Sequence, residues 1–246
     1  MTGSAGTVVV VTGAAGGIGR SIVRRLASDG ARVACVDVDA SGAAEAAAAH
    51  GDRAVAIRAD ITARDEVRAM VRQVEATWGP VDVLVNNAGR TRVGPFVDSR
   101  PDHWEELLRV DVLGVFHCTQ EILAGMLARR TGCIVNIGSD AERIGLPGQV
   151  VYAAAKGAIG AFTRSLAREV APHVRVNAVS PGPVRTPPLE RLFERDPALA
   201  RSLTAAIPLG RVAEPDDVAA AVAFLASADA AYITGQILSV SGGWAT

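Results

Sequence analysis

A β-branched run followed at once by a glycine-rich loop and a helix-forming stretch constrains this chain more than any other sequence feature. Residues 7–11 read Thr-Val-Val-Val-Val, which is typical of a parallel strand covered on both faces. Residues 12–19 read Thr-Gly-Ala-Ala-Gly-Gly-Ile-Gly, and helix-compatible residues continue to about Ser28. This order predicts the first unit of an open α/β sheet whose loop faces a phosphate group.

The glycines of this loop predict particular contacts. Gly13 permits a tight turn, Gly17 lets the backbone approach a pyrophosphate, and Gly19 allows the helix to pack closely on the strand. Ile18 lies between the last two glycines, at a helix N-terminus whose free N–H groups favour phosphates. We therefore expect a dinucleotide to bind here.

Asp37 gives the sharpest indication of which dinucleotide binds. It lies near the carboxyl end of a second apolar strand, residues 32–38, about twenty residues beyond the glycines. A carboxylate there accepts hydrogen bonds from both ribose hydroxyls of NAD and repels the 2′-phosphate of NADP. No basic residue replaces Ala14 or Ala15 in the loop. NAD is favoured, while Asp39 is expected to cap the next helix or to share the ribose.

Strands and helices alternate through all 246 residues, which predicts a single Rossmann-like domain with a doubly wound parallel sheet. In such folds ligands bind at the carboxyl ends of the strands. Residues 187–207 combine arginines and prolines with apolar residues, and we expect them to form a mobile helical lid over the substrate. The remaining strands are predicted at 54–58, 81–85, 133–137, 175–179 and 237–240. The remaining long helices are predicted at 40–50, 63–78, 101–129 and 214–225, and one more follows Pro147-Gly148 and continues to about residue 170.

Composition and charge narrow the classes of partner. The 25 Lys and Arg residues nearly balance the 26 Asp and Glu residues, which argues against a nucleic-acid surface. Cys35, Cys118 and Cys133 lie in apolar segments without metal-ligand spacing, so we expect reduced core thiols and no metal site. Residues 1–6 lack the features of a signal peptide, and charges or turn residues interrupt the apolar stretches. We expect a soluble cytoplasmic protein with a small-molecule substrate and no membrane partner.

Ser139, Tyr152 and Lys156 are the candidate catalytic residues. After the turn at Pro147-Gly148 the sequence is rich in alanine, so Tyr152 and Lys156 should share one helix face. A phenol has an ordinary pKa near ~10, and a nearby ammonium favours its ionised form, which suits it to proton transfer. Ser139 follows a strand and can hydrogen-bond a substrate oxygen. An ordinary amphipathic pair is the alternative explanation for the tyrosine and lysine.

Further residues fall at strand ends and so should border the same crevice. The asparagines in Asn86-Asn87-Ala88-Gly89 either join neighbouring strand ends through their amides or line the ligand crevice. The turn at 180–186 is rigid, and its backbone and hydroxyls are expected to face a bound ring. His117 lies in an apolar helical stretch, where we expect a packed histidine rather than a base. The expected cofactor contacts are Asp60, Ile61, Asn87, Ala88, Gly89, Pro181, Gly182, Val184 and Thr186.

Together these motifs resemble the short-chain dehydrogenase/reductase family over essentially the whole chain. The resemblance implies that Tyr152 is the general acid/base, that Lys156 favours its ionised form and holds the nicotinamide ribose, and that Ser139 polarises the substrate oxygen. Tyr152 and Lys156 are thereby also implied cofactor contacts. Hydride transfer at nicotinamide C4, with Thr186 near the carboxamide, is implied as well, and so is a homo-oligomer, commonly a homotetramer.

Within the family, the segments 139–145, 206–211 and 233–243 resemble dehydrogenases of cyclic or β-hydroxy acyl-CoA thioesters, such as 2-hydroxycyclohexanecarboxyl-CoA dehydrogenases. The last two segments also resemble 3-oxoacyl carrier-protein reductases, whose usual NADP preference disagrees with Asp37. A dinucleotide-binding sensor that has lost turnover is the alternative from a different functional class.

Asp111 departs from the family pattern, which usually has asparagine at this point of a long helix. In the family that position supports a water linked to the lysine, through its backbone and a local distortion of the helix. We expect one of two arrangements for this chain. Either Asp111 is ionised ~6 Å from Lys156, one water away, where it keeps the lysine protonated and partly offsets its charge at Tyr152, or its side chain points away and only caps or distorts the helix.

Overall fold

Seven parallel strands form one sheet in the computed structural model, which describes residues 6–246. The strands are β1 Val8–Thr12, β2 Arg32–Asp37, β3 Ala54–Arg58, β4 Val83–Asn86, β5 Gly132–Ile137, β6 Val174–Pro181 and β7 Ile237–Val240. Their order is β3-β2-β1-β4-β5-β6-β7. The direction of winding reverses between β1 and β4, which is where open sheets of this kind bind ligands. The predicted doubly wound, Rossmann-like fold is confirmed. Residues 1–5, part of the segment in which no signal peptide was expected, lie outside the described residues.

Ten α-helices flank the sheet within residues 6–246. They are α1 Gly17–Ser28, α2 Ala40–Ala48, α3 Arg64–Trp78, α4 Pro101–Leu108, α5 Gly114–Arg129, α6 Ala141–Ile144, α7 Val150–Val170, α8 Pro187–Arg195, α9 Pro197–Ala205 and α10 Pro215–Ala226.

Two apolar layers cover the two faces of the sheet, and β1 contributes to both. Val9 and Val11 belong to one layer, and Val8 and Val10 belong to the other. Successive side chains of a strand point to opposite faces, so a strand buried on both sides needs a continuous apolar run. This explains the unbroken valines of the sequence.

The three cysteines are free and buried, as the sequence predicted. Burial raises the pKa of Cys35 and Cys118 to about 12 and that of Cys133 to about 11. A thiol reacts as the thiolate, so these side chains are inert members of the core.

The helix predicted over residues 101–129 is continuous, but it is not α-helical throughout. A π-helical turn, Arg109–Leu113, separates α4 from α5. By length and composition alone the helix Pro101–Arg129 is long and apolar enough to cross a membrane, contrary to the expectation from sequence. Its apolar residues Cys118, Ile122 and Met126 pack in one core layer of the sheet, which accounts for the hydropathy of this helix without a membrane.

Residues 187–207, the expected lid, form the two short helices α8 and α9. Neither helix contains a buried residue. Both follow β6 on the carboxyl-end side of the sheet, so the segment lies where a lid would be useful. Its movement stays a prediction.

Candidate active site

The glycine loop has the geometry needed to bring backbone close to a ligand. Gly13 has a φ of 66°, in the left-handed region, and a side chain there would place Cβ 2.7 Å from the Cα of Ala88. A Cβ on Gly19 would lie 2.1 Å from the carbonyl oxygen of Gly13. The turn is therefore tight, and α1 packs directly against the loop.

The N-terminus of α1 opens toward the cleft. Its N-cap residue, Gly16, provides no side-chain hydrogen bond to the first turn. The first amides of an α-helix have no partner within the helix, so those of Gly17, Ile18 and Gly19 remain able to bind an anion. Thr186 lies across from them, since its Cγ2 would be 3.3 Å from a Cβ on Gly17.

A cleft of about 630 Å³ runs from this loop over the carboxyl ends of β1, β2 and β4. Its size and its phosphate-binding end suit a dinucleotide. Eleven of the residues expected from sequence line it: Gly13, Gly17, Ile18, Gly19, Asp37, Asp60, Ile61, Asn87, Ala88, Gly89 and Thr186.

Pro181, Gly182 and Val184 do not line this cleft, although the sequence suggested that they would face a bound ring. The reason is that β6 extends through Pro181, which pairs with Val240 of β7. Gly182 then donates its N–H to the Val240 carbonyl, and Val184 forms a bridge with Ala213. Their contact with a cofactor stays a prediction.

Asp37 is held at the end of β2 by two backbone amides. Its Oδ2 accepts a hydrogen bond from Ala15 N at 3.0 Å, and its Oδ1 accepts one from Asp39 N at 3.0 Å. The carboxylate thus faces the cleft and is tied to the glycine loop. Asp39 caps α2 through Ser41 N at 3.1 Å, as predicted, and hydrogen bonds from Ser41 and Gly42 hold the pKa of Asp39 below its usual value.

The strand-end asparagines join neighbouring strands, which decides between the two alternatives for Asn86. Asn86 Nδ2 donates to Asn136 Oδ1 at 2.9 Å and so links β4 to β5. Asn87 Nδ2 donates to the carbonyls of Thr12 at 2.9 Å and Gly13 at 3.0 Å. Asn87 also lines the cleft, so it serves the sheet and the site together.

Thr12 has a role that the sequence analysis missed. Its Oγ1 accepts hydrogen bonds from the backbone amides of Asn87 and Ala88, both at 3.1 Å. These bonds fix the end of β4 against the glycine loop. The signal available in the sequence was a hydroxyl residue that closes a run of four valines.

Lys156 and Asp111 form a direct ion pair beneath Gly89. Lys156 Nζ lies 3.0 Å from Asp111 Oδ1 and donates a hydrogen bond to the Ile137 carbonyl at 3.1 Å. Asp111 Oδ2 accepts a hydrogen bond from Arg90 N at 2.9 Å. Both arrangements expected from sequence were wrong in detail, because the carboxylate neither points away nor stands a water apart. The π-helical turn that contains Asp111 aims its side chain at the lysine.

The ion pair keeps Lys156 charged. Burial by itself would lower the pKa of Lys156, but the charge of Asp111, with smaller contributions from Tyr152 and Glu142, raises it above the usual lysine value. The Nζ atom lies 5.6 Å from the centroid of the Tyr152 ring. A positive charge therefore stands close to the phenol, as the sequence suggested.

Tyr152 faces a second cavity, of about 310 Å³, instead of the nucleotide cleft. Phe96 and Trp104 form one wall of it, with ring centroids 5.3 Å apart and planes inclined by 12°. Ser139, at the end of β5, is partly exposed and accepts a hydrogen bond from Ala141 N at 3.2 Å. It lines neither cavity.

Several residues at the mouth of the cleft were not expected from sequence. Glu106 forms ion pairs with both Arg90 and Arg92. Nothing in the charge pattern of α4 distinguishes this glutamate from its neighbours, since the pairing depends on the course of the loop before the helix. The lining residues outside the expected cofactor contacts include Arg90, Glu106, Arg109 and Val110, together with Pro187 and Pro188 of the expected lid.

The parallel sheet, the anion-binding loop and the charged lysine beside a phenol define a Rossmann-type, nucleotide-dependent oxidoreductase. The family model described as enoyl-(acyl carrier protein) reductase matches residues 13–245. The chain belongs to the short-chain dehydrogenase/reductase family, whose members are oxidoreductases acting on CH–OH groups.

Individual relatives cover nearly the whole chain. A 3-oxoacyl-[acyl-carrier-protein] reductase of Haemophilus influenzae is 38% identical over 97% of this chain and 98% of its own length. A 2,3-dihydroxy-2,3-dihydro-p-cumate dehydrogenase of Pseudomonas putida is 40% identical over 97% of this chain and 94% of its own. The crystal structure of a 3-ketoacyl-(acyl-carrier-protein) reductase from Brucella melitensis complexed with NADH is 34% identical, with a TM-score of 0.92 over 98% of this chain and 99% of that one.

Proposed function

We propose that this enzyme interconverts a secondary alcohol and a ketone with NAD(H), using Tyr152 as the general acid/base. The observation that carries the proposal is the placement of the buried, charged Lys156 Nζ 5.6 Å from the centroid of the Tyr152 ring. The charge favours the phenolate, which accepts the alcohol proton during oxidation and returns it during reduction. Ser139 binds the same substrate oxygen.

Asp37 supports NAD over NADP as the cofactor. Its carboxylate lies in the cleft beyond the phosphate-binding loop, where the adenine ribose of a dinucleotide is held. A negative charge there repels a 2′-phosphate. The NADH in the crystal structure of the Brucella melitensis relative agrees with this proposal. The nicotinamide supplies the hydride acceptor or donor when it is bound.

The best candidate for the substrate is a cyclic or β-hydroxy acyl-CoA thioester, or a similar hydroxy compound, whose reacting part is compact. The cavity beside Tyr152 is small, at about 310 Å³, and the stacked Phe96 and Trp104 form an aromatic wall suited to a ring. The dehydrogenase of Pseudomonas putida acts, by its name, on a cyclic diol.

A 3-oxoacyl carrier-protein reductase is the second candidate. The identity of 38% to the reductase of Haemophilus influenzae over nearly the whole chain favours it. A CoA phosphate could pair with Arg90 or Arg92 only in competition with Glu106, which already pairs with both. A panel of a cyclic hydroxyacyl-CoA, a linear 3-hydroxyacyl-CoA, an acyl-carrier-protein substrate and a free cyclic alcohol, assayed with NAD and with NADP, separates the two candidates.

The proton-transfer role is tested by replacing Tyr152 with phenylalanine. Tyr152→Phe is expected to leave NADH binding nearly intact and to lower turnover by a factor of about 10² or more, because only the proton-transfer group is lost. Tyr232→Phe is the matched control, since Tyr232 is the other tyrosine of the chain and is fully exposed. An active Tyr152→Phe enzyme would exclude the mechanism. Failure of the unmodified protein to turn over any alcohol, with NADH still bound, would favour a sensor.

We also propose that the enzyme is cytoplasmic and assembles as a homotetramer, as the family resemblance implies. Leu113 and Phe116, at the junction of the π-helical turn and α5, expose 45% and 36% of their surface, which suits a contact between copies. Size-exclusion chromatography with light scattering measures the molar mass of the assembly, and a monomer at micromolar concentration would contradict the proposed tetramer.

A further inference from the structure

Asp140 is a buried carboxylate that directly follows Ser139 and takes no part in the proposed reaction. Its side chain is 0% exposed. None of the ion pairs found among residues 6–246 includes it. Burial of a carboxylate without a cation is costly, so such a group is retained where its hydrogen bonds hold the chain in one arrangement.

The contacts of Asp140 bring three strand ends together. Its backbone N–H donates to the carbonyl of Pro181, the last residue of β6, at 3.0 Å. Its Oδ2 accepts a hydrogen bond from Ser239 Oγ on β7. Ser239 Oγ in turn lies 2.9 Å from Ser241 Oγ. A carboxylate acceptor makes a stronger bond of this kind than a neutral group does.

The chain before Ser139 is packed against the same strands. Gly138 donates its N–H to the Val179 carbonyl at 2.8 Å. A Cβ on Gly138 would lie 2.9 Å from Ser180 Oγ, so the two segments are in close contact. Ser180 and Ser239 are register partners on β6 and β7 and therefore project to the same side of the sheet. Asp140 Oδ1 and Ser180 Oγ are both buried without a hydrogen-bond partner.

We propose that Asp140 is a positioning residue for Ser139. Its bonds to Pro181 and Ser239 fix the residue after Ser139, just as the bond from Gly138 to Val179 fixes the residue before it. The serine hydroxyl is thereby held where the substrate oxygen binds. This inference rests on the proposed role of Ser139. Sub-ångström placement of a catalytic hydroxyl affects the transition state more than it affects substrate binding.

A double-mutant cycle between Asp140 and Ser139 tests the coupling. Asp140→Ala is expected to lower kcat by about tenfold, with the substrate KM and the Kd for NADH changed by less than about twofold. In a Ser139→Ala background the same substitution should have little further effect, because the hydroxyl that it positions is gone. Equal losses of kcat in both backgrounds would show a role independent of Ser139 and would overturn the proposal.

Two further variants separate positioning from general destabilisation. Asp140→Asn keeps an amide oxygen for Ser239 and should retain kcat within about threefold. Ser239→Ala should also lower kcat, as Asp140→Ala does, although Ser239 is far from Ser139 in the sequence. If Asp140→Ala does not fold, Ser239→Ala provides the test. Ser227→Ala, which removes a hydroxyl that only caps a short helix, is the control and should leave kcat unchanged.

Hydrogen exchange gives a readout that needs no turnover. The N–H of Asp140 is bonded to Pro181, so its exchange reports directly on the end of β5. Ser239→Ala should accelerate this exchange by about tenfold or more, and Ser227→Ala should not. Unchanged exchange in Ser239→Ala would overturn the positioning role even in an active enzyme. An inactive unmodified protein with the expected exchange pattern would instead contradict the proposed function.

Discussion

Lys156 Nζ lies 3.0 Å from Asp111 Oδ1, and neither side chain exposes more than 5% of its surface. Two charges removed from water are stable only when they compensate each other and their remaining hydrogen-bonding capacity is used. Here the Ile137 carbonyl and the Arg90 amide provide the additional hydrogen bonds. Loss of one partner should therefore be more harmful to the fold than loss of both charges.

Lys156→Met should lower the free energy of unfolding by about 3–5 kcal/mol, because it leaves the Asp111 carboxylate buried without a cation. Unfolding in urea, followed by circular dichroism, measures the change. The double variant Lys156→Met/Asp111→Asn is the control and should recover a large part of the loss, since it buries no uncompensated charge. Equal stabilities of the single and double variants would contradict the compensation argument.

The pH dependence of that stability has a defined sign. The pKa of Lys156 is raised in the folded protein, so its contribution is complete below the unfolded pKa, near ~10.4, and is lost as pH rises through the higher folded pKa. The stability difference between the unmodified protein and the double variant Lys156→Met/Asp111→Asn, which carries neither charge, should thus stay constant from about pH 7 to 9 and shrink in stronger alkali. A difference that grew above pH 10 would have the wrong sign.

Gly89→Ala should destabilise the ion pair, because a Cβ at Gly89 would lie 2.8 Å from Asp111 Oδ1 and 3.2 Å from Lys156 Nζ. We expect a loss of about 1–3 kcal/mol in the free energy of unfolding, with weaker NADH binding. Gly94→Ala is the matched control in the same loop, since a Cβ there meets no atom within 4 Å. Urea unfolding and fluorescence titration with NADH provide the two measurements, and equal effects of the two variants would refute the packing argument.

Asp37→Ala should narrow or reverse the preference for NAD, since it removes both the ribose acceptor and the repulsion of a 2′-phosphate. Asp37→Asn separates these effects, because the amide still accepts a hydrogen bond but carries no charge. Asp39→Ser is the control, as serine preserves the cap of α2 while removing a nearby charge. The measurement is the ratio of kcat/KM with NAD and with NADP. A higher kcat/KM with NADP than with NAD for the unmodified enzyme would contradict the role proposed for Asp37.

The sequence predicted the sheet well because its strands are short apolar runs rich in β-branched residues and bounded by glycines or helix-forming stretches. The valines of β1 are buried on both faces, and no helix accommodates such a short β-branched run between glycines. The strand-end position of Asp37 followed from the same pattern. Spacing along the chain was sufficient wherever a residue's role depended on its own strand or helix.

Contacts between distant segments could not be obtained from spacing. Asp111 reaches Lys156 because the turn Arg109–Leu113 is π-helical, and a turn with a different number of residues rotates the side chain away from the direction that an α-helix predicts. The bond from Ser239 to Asp140 joins residues 99 positions apart. The pairing of Pro181 with β7 depends in the same way on where the last strand enters the sheet.

Asp111→Asn should be less stable than the unmodified protein, because Lys156 loses its anion, but it should retain activity and move the alkaline requirement for alcohol oxidation to lower pH. The negative charge of Asp111 partly cancels the electrostatic field of Lys156 at the Tyr152 phenol. An uncharged amide at position 111 would leave more of that field to favour the phenolate. The shift should be about 0.5–1 pH unit, which corresponds to a change of about 0.7–1.4 kcal/mol in the electrostatic preference for the phenolate.

Recording kcat for alcohol oxidation from about pH 6 to 10 with both enzymes decides this prediction. Asp98→Asn is the control, since it removes an exposed carboxylate near the second cavity without touching Lys156. Coincident profiles would remove Asp111 from the electrostatics of proton transfer. An upward shift would show that Lys156, buried without its anion, loses its own proton first, because burial alone lowers its pKa. A downward shift confined to Asp111→Asn would establish that the carboxylate sets the pH range in which this enzyme oxidises its alcohol.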